Sequence, residues 1–222
     1  MSAAQRTSTS RQSDASLGRS AEADGRQRLI DAAVTCIIEE GFYRASSNAI
    51  ADRAGVSWGV IQYHFGNRES LLLAVLQDGT RRLVDELSSS EIVGDTLIER
   101  IQSYFEILQC YYGDPRHLAY MQVMLNLSKD PKTSQETHDT VLAISEESDV
   151  QIKRLTSTLF KGTGIRNRTL RDLVFQVLRG VAISESMTQA LPFDTSRRTG
   201  NRAEQHRLTA EALSLLIDHH SG

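Results

Sequence analysis

Apolar residues recur at three- and four-residue intervals along most of the chain, and that period restricts its possible folds more than any other feature. Leu29, Ile30, Ala33, Val34, Ile37 and Ile38 form a first stripe. Leu97, Ile98, Ile101, Tyr104, Phe105 and Leu108 form a second, Leu170, Leu173, Val174, Val177, Leu178 and Val181 a third, and Leu208, Ala212, Leu213 and Leu216 a last. This spacing gathers apolar side chains on one face of an α-helix, and the two-residue alternation of a half-buried strand is nearly absent. With only 3 prolines in 222 residues, little interrupts helices. The expected fold class is all-α, with about nine helices.

Caps and breakers divide that pattern. A first helix runs from about Arg26 to Glu40 and stops at Gly41. Ser46 caps a second through Ala54, Gly55-Val56-Ser57 makes a turn, a third runs from Trp58 to about Phe65, and Asn67 caps a fourth towards Ser88. A fifth reaches Gly113, a sixth spans His117 to Leu127, and a long seventh starts at Pro131 and reaches about Phe160. The eighth and ninth flank a polar loop at 192–203. The resulting division is a disordered arm at 1–23, a small three-helix domain at 24–70 and a larger helical domain at 71–222.

Residues 1–20 contain six serines, with Arg6, Arg11 and Arg19, and almost no bulky apolar side chain, so they cannot offset the entropy of ordering. Either this arm is a leader without a task or its arginines track DNA. The formal charge of −3 is spread evenly, residues 1–88 carrying 10 Arg/Lys against 11 Asp/Glu. A nucleic-acid function must therefore rest on where side chains point rather than on net charge. No apolar leader or long apolar run is present, which makes a cytoplasmic protein the expectation. Cys36 and Cys110 are isolated, without metal-ligand spacing, and are expected to fill core space; no metal or cofactor is expected.

A helix-turn-helix needs a small residue where its helices cross, a tight helix-ending turn and a branched residue facing inward from the second helix. Ala51, Gly55-Val56 and Ile61 occupy those places in order. The run Ile50-Ala51, Ala54-Gly55-Val56-Ser57, Gly59, Tyr63-His64-Phe65, Arg68 and Leu71 resembles the N-terminal signature of the TetR family, over residues 26–75. The family often has Tyr at the place of Gln62, Lys at that of Arg68 and an apolar residue at that of Ser47. Beyond residue 75 the likeness is architectural, a helical ligand-binding domain.

With Ile61 and Phe65 facing inward, Trp58, Val60 and Gln62 are expected to face a major groove. Gln62 can pair with adenine, Val60 can rest on a thymine methyl, and Gly59 permits close backbone approach. Trp58 either meets the groove or packs on the first helix. Ser46, Ser57, Tyr63, Asn67 and Arg68 are expected to grip phosphates from helix starts and flanks, the serines and Asn67 also serving as caps. Tyr63 and His64 are either DNA contacts or packed rings.

In the rear part, Tyr104, Phe105, Tyr111, Tyr120, Met121, Met124, Leu125 and Phe175 could wall an effector pocket or simply form core. Phe105, Met121, Met124 and Phe175 are the candidate lining residues, for a neutral or amphipathic small molecule. The resemblance implies a homodimer through the last two helices, with Leu173, Val177, Leu178, Val181, Leu213 and Leu216 supplying apolar surface. It also implies a repressor released by its ligand from an inverted-repeat, double-stranded operator. Activation or co-repression would use the same parts, and a helical scaffold without DNA binding is a further alternative. No catalytic constellation is visible, so an enzyme is not expected.

Overall fold

The structure is a computed structural model. It describes residues 3–190 and 201–220, with side chains from Glu22 onward. Nine helices and no strand occur among the described residues: α1 (Ala3–Glu40), α2 (Ser47–Ala54), α3 (Trp58–Phe65), α4 (Arg68–Ser89), α5 (Leu97–Gly113), α6 (Pro115–Lys129), α7 (Gln135–Leu159), α8 (Arg168–Ala190) and α9 (Arg202–His219). None of these helices is long and apolar enough to cross a membrane.

The backbone of α1 begins at Ala3, ahead of Arg26, where its apolar stripe suggested a start. Side chains through Ala21, including those of Arg6, Arg11 and Arg19, lie outside the described residues, as does most of the expected loop at 192–203. The caps explain most other boundaries. Ser46 Oγ accepts from the Ala49 N–H at 3.2 Å and Asn67 Oδ1 from the Ser70 N–H at 2.8 Å. Thr96 and Glu99 form a reciprocal capping box at α5.

One boundary differs from the sequence reading. Pro131 does not open the seventh helix: it is the second residue of a turn in which the Thr133 N–H reaches the Asp130 carbonyl at 3.0 Å. Asp followed by Pro is a strong type I turn pair, and the cap of α7 is Ser134, which accepts from Thr137. The proline in a first helical turn is Pro115, at the start of α6.

Two apolar cores run through the molecule. The front core joins Leu29, Ile30, Ala33, Cys36 and Ile37 of α1 to Ile50, Ala51 and Ile61 of the two short helices and to Leu71, Leu72 and Val75 of α4. It also takes Ala119, Val123 and Leu127 from α6 and Val141 from α7. The rear core collects Leu83 and Leu87 of α4, the inner face of α5, the end of α7 and the stripes of α8 and α9. Cys36 is buried in the front core, whereas Cys110 is exposed, because α5 turns Ile101, Tyr104, Phe105, Leu108 and Tyr112 inward.

Candidate nucleic-acid interface and cavity

The joint between α2 and α3 is closed by backbone. Gly55 takes the left-handed conformation (φ +68°), which glycine adopts without a Cβ penalty. Its N–H reaches the Asp52 carbonyl at 3.1 Å, and the Val56 N–H reaches the Ala51 carbonyl at 3.0 Å, the paired bonds of a Schellman ending. Ile61, 1% exposed, anchors α3 in the front core. Beside that joint, in the last turn of α2, Arg53 pairs with Glu39 at 2.6 Å and Glu40 at 3.3 Å, tying α2 to the end of α1.

That anchoring leaves one face of α3 bare. Trp58 is 47% exposed, Tyr63 is 74% exposed, and Gly59 and Gln62 are exposed between them. Nothing crowds Gly59: an added Cβ would meet only the Ser57 hydroxyl, at 3.6 Å. Ser57 stands at the start of α3, yet its side chain makes no capping bond, so the hydroxyl is not used by the helix it precedes. Ser46 and Asn67 are exposed caps at the starts of α2 and α4.

Three other candidates sit deeper. Val60 is half-buried against the front core, so only part of it faces outward. His64 is half-buried, its ring edge-on to Tyr63 at 5.0 Å and close to Gly25 of α1. The Tyr63 hydroxyl donates to Glu22 at 3.2 Å, and the Arg26 guanidinium lies 4.9 Å from the Phe65 ring centroid, so α1 braces the end of α3. Arg68 turns inward. It donates to the carbonyls of Ala45 at 3.1 Å and Phe42 at 3.0 Å, lies 4.8 Å from the centre of the Phe42 ring, and burial lowers its pKa. It works as a strut between α4 and the α1–α2 connection. The exposed aromatic and cation there are Tyr43, 88% exposed, and Arg44. Sequence reasoning passed over both, since a connecting segment carries no period; an Arg beside the Ser46 cap was the available signal.

A cavity of about 270 Å³ lies among α4, α5, α6, α7 and α8. Met121 and Met124 line it, with Tyr104, Tyr111 and Tyr120. Phe105 and Phe175 do not. Phe105 is buried edge-on against His206 of α9, with centroids 4.5 Å apart, and Phe175 packs on the rear core. Leu125 is 55% exposed on the outer side of α6. His117 and Arg179, both in the lining, were not singled out from the sequence, because no spacing distinguishes them. Burial drives the Tyr104 phenol up to about 12, although its hydroxyl shares a hydrogen bond with Thr156 at 3.1 Å.

The cavity touches the front part through two helices. In α4, Gly79 is covered by the Tyr120 ring so closely that an added Cβ would fall 2.9 Å from three of its carbons. Asp78, 5% exposed, pairs with Arg81 and, at 2.7 Å, with Arg82, which lies 3.6 Å from Asp31 of α1. In α6, His117, Tyr120, Met121 and Met124 line the cavity while Ala119, Val123 and Leu127 enter the front core. The Phe42 N–H donates to Gln122 Oε1 at 3.2 Å.

Residues 29–75 match the model of the family described as bacterial regulatory proteins, tetR family. The chain is 27% identical over 110 residues to the HTH-type transcriptional repressor AcnR of Corynebacterium glutamicum, a match covering 50% of this chain and 52% of the relative. It is 43% identical over 60 residues to the HTH-type transcriptional regulator BetI of Escherichia coli, covering 27% of this chain and 31% of that one. The chain thus spans about half the length of the curated AcnR relatives it matches. In fold it is similar to a transcriptional regulator from Rhodococcus sp. Rha1, with a TM-score of 0.62 at 21% identity over 86% of this chain and 95% of that one. The matched segment coincides with the two short helices, their Gly55 turn and the helices that bury them, and over it the chain is similar to the tetR family of bacterial regulatory proteins.

Proposed function

We propose that this protein is a homodimeric transcriptional repressor that lays α3 in the major groove of an operator and releases it when a small molecule occupies the rear cavity. The observation that carries the reading is the bare face of α3. Trp58, Gly59, Gln62 and Tyr63 project from a helix whose opposite side is locked into the core by Ile61. Gln62 presents a side-chain amide that can bond adenine N6 and N7 together. The exposed starts of α2, α3 and α4, at Ser46, Ser57 and Asn67, aim backbone N–H groups and helix dipoles outward, as a phosphate contact requires. Arg44 and Tyr43 complete the flank. The part assigned to Arg68 is the support of this surface from within.

Dimerisation would use the outer faces of α8 and α9, where Leu173, Met187, Leu208 and Leu215 are exposed apolar residues. Leu178 and Leu213 are spent inside the protomer, while Val177, Val181 and Leu216 are half-buried. Two-fold pairing would present two copies of α3, which a palindromic operator matches. The cavity would act on DNA binding because α4 and α6 each border it on one side and the front core on the other. An occupant that prefers one placement of Tyr120 shifts the equilibrium between operator-bound and released forms. AcnR is named a transcriptional repressor, which favours repression over activation as the direction of control.

A gel-shift assay of the full chain against fragments of its own genome, at rising salt with competitor DNA, tests this. Retention of a discrete fragment at moderate salt supports the reading. Uniform binding that fades with salt for every fragment refutes it, since phosphate contacts alone carry no sequence preference.

A further inference from the structure

The cavity lies between the two cores and differs in character along its wall. Leu76, Met124, Val141 and Ile144 line it from the front core, whereas Tyr104, Leu108, Tyr112 and Leu155 line it from the rear core. On the rear side stands a cation. The Arg179 guanidinium lies 5.9 Å from the ring centroids of both Tyr112 and Phe175, and its charge bears on the Tyr112 phenol. Arg179 enters none of the ion pairs formed among the described residues. It is also exposed, which puts it where the cavity meets solvent.

Besides Arg179 the lining holds one acid and no second cation among the described residues. Asp149, the acid in the lining, lies 3.8 Å from Lys153 on its own helix. His117 is 7% exposed with Nδ1 unpartnered. Burial, helped by the Arg179 charge, brings its pKa down to about 4, so it is neutral at pH 7. The Arg179 charge also acts on the buried phenols of Tyr104, Tyr111 and Tyr112, opposing the upward push of burial at each. An unpaired cation beside neutral donors, opening on an apolar chamber, suits an anion with an apolar body.

We propose, resting on the reading of this cavity as the effector site, that its occupant is a compact apolar carboxylic acid. The carboxylate takes the Arg179 guanidinium and the Tyr112 hydroxyl, and the body extends forward to Leu76, Met124, Val141 and Ile144. A chamber of about 270 Å³ holds about nine water-sized groups at roughly 30 Å³ each, which fits a single short chain rather than a long lipid. The ligand would thereby bridge the charged rear wall and the apolar face of α4 that continues into the DNA-reading unit.

The test is calorimetric titration of the full chain and its Arg179→Met variant with octanoate, octanol and octylamine, with Nile red fluorescence as an independent probe of an apolar chamber. Octanoate is expected to bind the native chain roughly tenfold or more tightly than octanol, with octylamine weakest. Arg179→Met should erase that preference while octanol and Nile red still bind; because Arg179 is exposed, the substitution leaves both cores intact. Octanoate binding no more tightly than octanol, or a preference that survives in Arg179→Met, overturns the assignment. If Nile red binds and octanoate does not, the acid assignment fails and the effector cavity stands. If none of the four probes binds, both fail.

Discussion

Around α3 the polar groups without structural employment point outward, whereas between α4 and α8 they point inward. Ser57, Gln62 and the ends of the capped helices face solvent in the front region; His117, Tyr111, Tyr112 and Arg179 surround a chamber in the rear. The front helices are short and can bury only one residue face, so their free groups suit a large, flat, polar partner. The rear helices are long enough to enclose a space that excludes such a partner and admits a small one. One chain thus offers two surfaces of different reach, joined by α4 and α6.

The sharpest way to break that contrast is to strike the anchor and the reading face separately. Ile61→Ala should cost about 2–5 kcal/mol in urea unfolding and remove DNA binding with it, because a fully buried branched side chain leaves a cavity that the joint cannot collapse. Gln62→Ala, one position along, should leave unfolding within about 0.5 kcal/mol of native. It should instead relax preference at one base pair per half-site by about 1–3 kcal/mol, measured by competition among single-base operator variants. A loss of stability in the Gln62 variant would place that side chain inside the fold.

On the rear side, His117 makes stability depend on pH. The unfolded chain takes up a proton near the ordinary imidazole value of about 6.5 and the folded chain only near about 4, so stability falls as pH falls between those values. Taking pH 7 to pH 5, the expected loss is about 2 kcal/mol, and His117→Phe should flatten that slope in paired urea melts. Gly79→Ala probes the join. The gain of about 1 kcal/mol in helix propensity is opposed by the clash with Tyr120, and the displaced ring should lower Nile red binding without changing base preference. The smallest effect belongs to Arg44→Ala, which should weaken binding equally across sequences and lower the salt slope by about 1.

The sequence disclosed the front region more fully than the rear for a physical reason. Ser46, Gly55, Ser57 and Asn67 act through backbone geometry within four residues of themselves, so the bounds of α2 and α3 follow from local chemistry. Where a side chain points once helices pack is not local. The aromatic pattern that suggested Phe105 and Phe175 as lining placed both on helices that border the cavity. Their directions were set by α9 and by the rear core, which no spacing reveals. Arg68 shows the same limit: at a helix start it has the chemistry of a phosphate contact, yet two carbonyls and the Phe42 ring claim it. Pro131 failed as a helix start because Asp130 gave it a turn to sit in.

The central claim is that two copies of α3 read duplex DNA together, and selection of binding sites from random duplex by the full chain tests it most directly. Recovered sites should converge on an inverted repeat whose half-sites are spaced by one helical turn or a multiple, roughly 10 bp steps, with an adenine in each half that Gln62→Ala no longer selects. Sites that show no convergence, or a lone half-site bound as tightly as the pair, would contradict the account.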